Sequence, residues 1–423
     1  MRSIPRSAFV AFIWALASAT AALVDEPRSA RAAAQAETLE RPAATENVRA
    51  FDEAWQEVRE SFYDPKLKGL DWNAVGRKYR AEATLPKANV AEIINRMLAE
   101  LKSSHTGYYT PDDIAYYDLA DIFSHSLRRE LEKRFAKGEV AYEGVGMVTR
   151  VIDGRHFISG LLAGFPAAAA GLAVGDEIVA ADGKGFEPIG SFSGKVARSV
   201  HLTIRRAAGA EPQTVAVVPQ KLRPDQTFYA AMENGARLIE KGGHRLGYVH
   251  IWSYAGRQYQ ELLEELISGK FKDADALIWD LRDGWGGAQP DYLDIFNARS
   301  PTMILTGRDG ASTVNTRWRK PVILIINGGT RSGKEVLSYG FKKYGYGEVV
   351  GTRSAGALLA GRAFMQSNGS LLLIAVTDVT VDGERLEGVG VAPDHEVPFD
   401  IRYARGADPQ LDAAIDVLIR KLN

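Results

Sequence analysis

The chain has 423 residues, 46% of them apolar and 25% charged, enough for two or three domains with sizeable cores. A formal net charge of −1 excludes a broad basic surface that would recruit nucleic acid. The absence of cysteine excludes disulfides, thiol nucleophiles and zinc–thiolate centres, and directs any nucleophile toward serine or threonine.

Arg2 and Arg6 precede an apolar run over residues 8–24, within which Ala19-Thr20-Ala21 offers small residues for cleavage. This order predicts an export signal over residues 1–24 and a periplasmic or extracellular protein. Left uncleaved, the run nearly reaches the length of a membrane span and would anchor the N-terminus. Residues 25–47, rich in alanine and dotted with proline, are expected to form a linker. Residues 48–137 are predicted to be a helical domain. Phe51, Trp55, Val58 and Phe62 recur at helical spacing until Asp64-Pro65 stops them. Trp72, Val75 and Tyr79 begin a second stripe, and Val90, Ile93, Ile94, Met97 and Leu101 form a third. The third ends in Ser103-Ser104-His105-Thr106-Gly107, a helix-ending loop, and a small bundle fits the three stripes.

Residues 138–222 change to strand-like runs around Met147-Val148-Thr149-Arg150, Val200-His201-Leu202-Thr203-Ile204 and Thr214-Val215-Ala216-Val217. Between them Gly164-Phe165-Pro166-Ala167 opens a short helix, and Ala170-Gly171-Leu172 with Gly175-Asp176-Glu177-Ile178 closes it. With Asp182-Gly183, this segment resembles a PDZ domain of the bacterial protease type. The resemblance implies a groove beside an edge strand for an extended or C-terminal peptide, with Gly144, Val145 and Gly146 as the carboxylate loop. Residues 223–423 alternate strands and helices, an α/β pattern. Expected strands are residues 246–252, 276–281, 321–326, 348–350 and 371–381; expected helices are residues 258–267, 333–344 and 410–422.

The strand at 321–326 runs into Asn327-Gly328-Gly329-Thr330-Arg331-Ser332-Gly333-Lys334-Glu335, where a helix begins. A serine at such a turn sits beside free helix amides and the positive end of the helix dipole. Its oxygen can attack a carbonyl while the next amide holds the oxyanion. The same residues make most of a phosphate-binding loop. Glu335, however, stands where a Ser or Thr should meet magnesium.

Three segments together resemble the C-terminal processing and tricorn serine peptidases. Asp280-Leu281-Arg282-Asp283-Gly284-Trp285-Gly286-Gly287 is similar to their "DLR.N.GG" segment. Residues 330–335 are similar to "SASASE", with Ser332 on the nucleophile, and residues 388–394 to "G.GV.PD". The resemblance spans residues 48–423. It implies an α/β multidomain fold: a helical bundle, a PDZ-like β-rich domain and a crotonase-like peptidase core.

One position departs from the pattern. The lysine base of the better-known branch falls on Ala357, which cannot take a proton. Lys334 lies two residues after Ser332 and turns away around the helix. Histidine is the natural replacement. Of seven histidines, His105 stands in Ser103-Ser104-His105, similar to the histidine loop of tricorn-type peptidases. That branch implies a tetrad of Ser332, His105, Ser104 and Glu387, with Glu384 as the alternative carboxylate. Gly333 and one of Gly286 and Gly287 are the expected oxyanion donors. Arg282, Arg331 and Arg353 are candidates to steer a substrate carboxylate. No H-E-x-x-H or other ligand spacing calls for a metal, and nothing calls for a cofactor. The expected activity is endopeptidase hydrolysis of a polypeptide through an acyl-enzyme. The alternative is an inactive peptide-binding protein on the same scaffold, motivated by Ala357. The sequence carries no signal for an oligomeric state.

Overall fold

The computed structural model describes residues 28–423 apart from 298, 300, 309, 315 and 316, with side chains from residue 45 onward except 312–314. The expected export signal lies outside the described residues. The expected linker does not: from Arg28 it is part of α1 (Arg28–Ser61).

α1 is followed by α2 (Trp72–Ala83) and α3 (Val90–Ala99), each started by a side chain that caps a free amide. Asp71 accepts from the N–H of Ala74, and Asn89 from that of Glu92. Phe51, Val58, Trp72, Ile94 and Met97 meet in one core, as their stripes require. That core has a fourth wall which the stripes do not reveal. Leu359, Leu372, Ile374 and Ala375, from a hairpin far along the chain, close it. The bundle is therefore fastened to the rest of the protein. β1 (Gly107–Tyr109) continues the attachment by pairing with that hairpin, and α4 (Ile114–Ile122) and α5 (Arg128–Arg134) follow.

The next segment opens with β2 (Tyr142–Gly144). β3 (Met147–Ile152), β4 (Arg155–Leu161), β5 (Glu177–Ala181), β6 (Val200–Arg205) and β7 (Gln213–Val217) form an antiparallel sheet in chain order. The short α6 (Pro166–Ala169) crosses between β4 and β5, and β8 (Gln220–Leu222) pairs with β2. β3 lies at an edge of the five-stranded sheet.

The remainder begins with α7 (Pro224–Gly235), β9 (Arg237–Lys241) and β10 (His244–His250). α8 (Gln258–Ser268), β11 (Ala276–Asp280), a hairpin of β12 (Met303–Gly307) and β13 (Gly310–Val314), and β14 (Val322–Ile326) follow. Then come α9 (Gly333–Lys343), β15 (Glu348–Gly351), β16 (Leu359–Met365), β17 (Leu371–Asp378), β18 (His395–Glu396) and α10 (Pro409–Leu422). Six strands make a sheet ordered β18-β15-β14-β11-β10-β9, parallel except for β9. Side chains alternate between its faces. Leu277, Trp279, Leu324 and Ile326 pack with Leu262 and Leu263 of α8 and Leu337 and Phe341 of α9. Ile278, Ile323 and Ile325 pack with Ile415 and Leu418 of α10. A central sheet between helical layers results, and the C-terminal ends of β10, β11 and β14 point toward one set of loops.

Candidate active site

The turn after β14 is stitched together by short polar side chains. Asn327 Oδ1 accepts from the amides of Asp283 and Gly329, and Thr330 Oγ1 donates to the carbonyl of Leu281. Ser332 occupies the N-cap of α9 with φ 57° and ψ −132°, a conformation that costs a non-glycine residue about 1–3 kcal/mol. The surroundings hold it there. Its N–H donates to the carbonyl of Ala357 at 2.8 Å, and Gly286 lies against it. A Cβ on Gly286 would stand 2.5 Å from the Cβ of Ser332 and 2.9 Å from the amide nitrogen of Gly333. Only glycine lets the two loops approach this closely. Among the described residues the N–H groups of Gly286, Gly287 and Gly333 have no acceptor, so three donors cluster around the serine.

His105, Ser104 and Ser332 line one cavity of about 550 Å3 with Gly286 and Gly287. Much of its wall is apolar, from Leu119, Ile122, Phe123, Leu359 and Leu373. The polar chain behind His105 is continuous. Ser104 Oγ lies 3.0 Å from His105 Nδ1 and donates to Glu387 Oε2 at 2.7 Å. Glu387 also accepts from the amides of Ser104 and Leu358. A hydroxyl has one proton. With that proton on Glu387, Ser104 can only accept from His105, which places the imidazole proton on Nδ1 and leaves Nε2 an acceptor. Glu384 is exposed in the preceding hairpin and takes no part.

Burial pushes the His105 pKa down to about 4, opposed by the charge of Glu387 and reinforced by that of Arg331. The imidazole is therefore neutral well below pH 6, lower than an unperturbed histidine would allow. The other histidines lie elsewhere. His250 stacks on Trp252 and bonds the carbonyl of Arg282, and His395 pairs with Glu348.

Lys334 is fully buried, and its Nζ donates to the carbonyls of Ile251 and Asp283. It is neither a base for Ser332 nor a phosphate ligand. Glu335, which broke the phosphate-loop pattern, accepts from Ser354 Oγ and the amides of Gly356 and Ala357. It thereby holds the loop whose Ala357 carbonyl receives the Ser332 amide. Sequence reasoning missed this role, although a carboxylate on the first turn of a helix was a signal for amide binding. Arg282 is consumed in a buried pair with Asp280 at 2.6 Å and Asp408 at 2.7 Å, tying α10 to the end of β11. Arg353 reaches the carbonyl of Val389. Arg331 alone of the three candidate arginines lines the Ser332 cavity.

Gly144, Val145 and Gly146 lie apart from this cavity. The space beside them is about 10 Å3, filled by Ile114, Phe186, Pro188 and Phe192. A larger opening of about 410 Å3 lies along Met147, Val148, Thr149 and Arg150 of β3 and shares Tyr109, Trp285 and Arg331 with the Ser332 cavity. Among the described residues no cluster of three or more His, Asp or Glu side chains could hold a metal ion. No described helix is long and apolar enough to cross a membrane.

Residues 245–397 match the profile of peptidase family S41, and residues 43–99 that of the tricorn protease C1 domain. A putative tricorn protease homolog 2 of Streptomyces coelicolor is 27% identical over 90% of this chain and 33% of its own length. The carboxyl-terminal-processing protease of Picosynechococcus sp. is 24% identical over 86% of this chain and 88% of its own. The crystal structure of the tricorn protease superposes with a TM-score of 0.54 at 20% identity, over 90% of this chain and 37% of that one, a likeness of fold. The chain thus spans about a third of the tricorn homologues it matches. Residues 245–397, which include Ser332, thus carry a peptidase family S41 domain, and residues 43–99, which precede the loop of His105, a segment similar to the tricorn protease C1 domain.

Proposed function

We propose that the chain is an exported serine endopeptidase in which Ser332 is the nucleophile and His105 its base. The observation that carries this reading is the Glu387–Ser104–His105 chain opening into the cavity of Ser332 beside three unpartnered amides. Ser332 Oγ attacks the peptide carbonyl as Nε2 of His105 takes its proton. The oxyanion is received by the amide of Gly333 and by Gly286 or Gly287. The C–N bond then breaks, the amine leaves with the proton from His105, and water hydrolyses the acyl-enzyme by the same route. Ser104 and Glu387 orient the imidazole and offset its charge.

Residues 138–222 are read as a PDZ domain and residues 223–423 as a crotonase-like core. The open edge of β3 beside the cavity of about 410 Å3 supports addition of an extended peptide as a further strand. The closed space at Gly144–Gly146 argues that the peptide end would have to displace Phe186 or Pro188 to reach that loop. Polypeptide is the expected substrate. Export, to the periplasm or beyond, rests on the basic and apolar pattern of residues 1–24.

One observation favours the second reading, peptide binding without turnover. Among the described residues Ser332 Oγ makes no hydrogen bond. Catalytic hydrogen bonds often tighten only with substrate, so the gap does not decide the matter. A fluorophosphonate probe decides it: the first reading expects labelling that Ser332→Ala abolishes and His105→Ala slows by orders of magnitude. Equal labelling of wild type and Ser332→Ala would overturn the assignment.

A further inference from the structure

We propose that Arg331 is a carboxylate-recognition subsite, so that the protein engages peptides carrying a carboxylate within about two residues of the scissile bond. This rests on the reading of Ser332 as nucleophile.

Arg331 immediately precedes Ser332, and its side chain is exposed into the wall shared by the Ser332 cavity and the opening along β3. Its guanidinium lies 5.5 Å from the ring centroid of Trp285, and Trp285 Nε1 donates to the buried Asp118 at 3.0 Å. Asp118 thus fixes the indole, and the indole face steadies the cation. Among the described residues Arg331 has no carboxylate partner, unlike Arg282 with Asp280 and Asp408 or Arg150 with Asp283. Its charge reaches the site: burial moves the pKa of His105 down and that of Tyr109 up, and the Arg331 cation adds to the first shift and opposes the second. A cation on the wall of this cavity disfavours the imidazolium that acyl transfer requires. A substrate carboxylate would remove that penalty while gaining a planar, two-donor partner. The rest of the Ser332 cavity is mainly apolar, so the preferred segment joins an apolar side chain to a nearby carboxylate. An arginine reaches about 7 Å from its Cα and an extended peptide rises about 3.3 Å per residue, which sets the two-residue limit.

The carboxylate can come from the peptide C-terminus or from an acidic side chain. Paired fluorescent peptides distinguish these: free acid against C-terminal amide, and Asp or Glu against Asn or Gln at the two positions on each side of an apolar residue. Binding is measured on Ser332→Ala by polarisation, and kcat/KM on the active chain. The expected result is a preference of about tenfold or more for one carboxylate form. It should fall to near unity in Arg331→Gln and turn toward lysine-bearing peptides in Arg331→Glu. Equal binding of every pair, or an unchanged preference in Arg331→Gln, overturns the proposal. Because the binding arm needs no turnover, it tests Arg331 even if labelling refutes Ser332. Should Arg331→Gln misfold, Arg331→Lys takes its place: it keeps the charge but loses the two-donor fork, and an unchanged preference there overturns the proposal.

Discussion

Ser104→Ala tests whether the polar chain behind His105 contributes to chemistry or only to packing. The change removes the acceptor of the His105 Nδ1 proton and one of three donors to Glu387. Glu387 keeps the amides of Ser104 and Leu358, so the loop that holds it should stay in place. The imidazole loses the partner that fixes its tautomer and stabilises its charged form. A hydrogen bond on a charged group is worth about 1.5–3 kcal/mol, which corresponds to roughly a ten- to hundredfold loss in rate. The assay is the second-order rate constant of fluorophosphonate labelling, which needs no natural substrate, with a urea midpoint as the control for folding. Ser104→Thr keeps the hydroxyl and should recover most of the rate. A Ser104→Ala protein that labels at the wild-type rate while His105→Ala does not label would make Ser104 a bystander.

Between pH 5 and 7 the labelling rate should be nearly flat with respect to His105 and fall as pH approaches 4, because burial keeps the base neutral until then. Over the same window the unfolded chain takes up a proton near pH 6.5 that the folded chain refuses, so stability contributed by this group declines from about pH 6.5 toward 4; a rate limb at 6.5 would refute the buried imidazole. Gly286→Ala should cost at least a hundredfold in labelling, since the new methyl would meet Ser332 and the Gly333 amide, and a wild-type rate would remove that loop from the oxyanion site. Leu101→Ala, which opens the core shared by α3 and β17, should cost about 2–5 kcal/mol in urea and lose labelling before the central sheet unfolds, read by circular dichroism.

Much of this arrangement was legible because its signals are local. The run at 322–326 is uniformly apolar and buried on both faces, and the glycines and the following helix pattern place Ser332 at a turn. Ser104 and His105 were found only through a resemblance of one loop. Nothing local in Leu386-Glu387-Gly388 separated Glu387 from Glu384, since both stand in a polar hairpin. The choice is made by the amide of Leu358, which lies far from Ser104 in the chain and meets Glu387 in space. Composition alone did not show that residues 28–47 are helical and continuous with α1. The sequence named Arg282, Arg331 and Arg353 alike as candidates to steer a carboxylate; what separates them is spatial, since Arg282 is paired with Asp280 and Asp408 and only Arg331 lines the Ser332 cavity.

In the proposed mechanism, alanine at position 357 in place of a lysine base changes which part of the chain the chemistry depends on. A base at position 357 would ride on the same loop that receives the Ser332 amide, so nucleophile and base would share one rigid element. With histidine the base arrives from the end of α3, and its position is set by how the helical bundle seats on β16 and β17. That seating is well determined. Leu359, Leu372, Ile374 and Ala375 are buried with the helices, and Gly107 pairs with Leu373 two residues after His105. Gly361 of β16 also passes close by, since a Cβ there would meet the Cβ of His105 at 3.3 Å. Glu387 adds a second fastening through its bond to Ser104, from the segment that follows β17. The bundle, the hairpin and the carboxylate loop therefore converge on two adjacent residues. On the reading of His105 as base, docking of the helical segment is a condition of catalysis, because the proposed base is part of what docks.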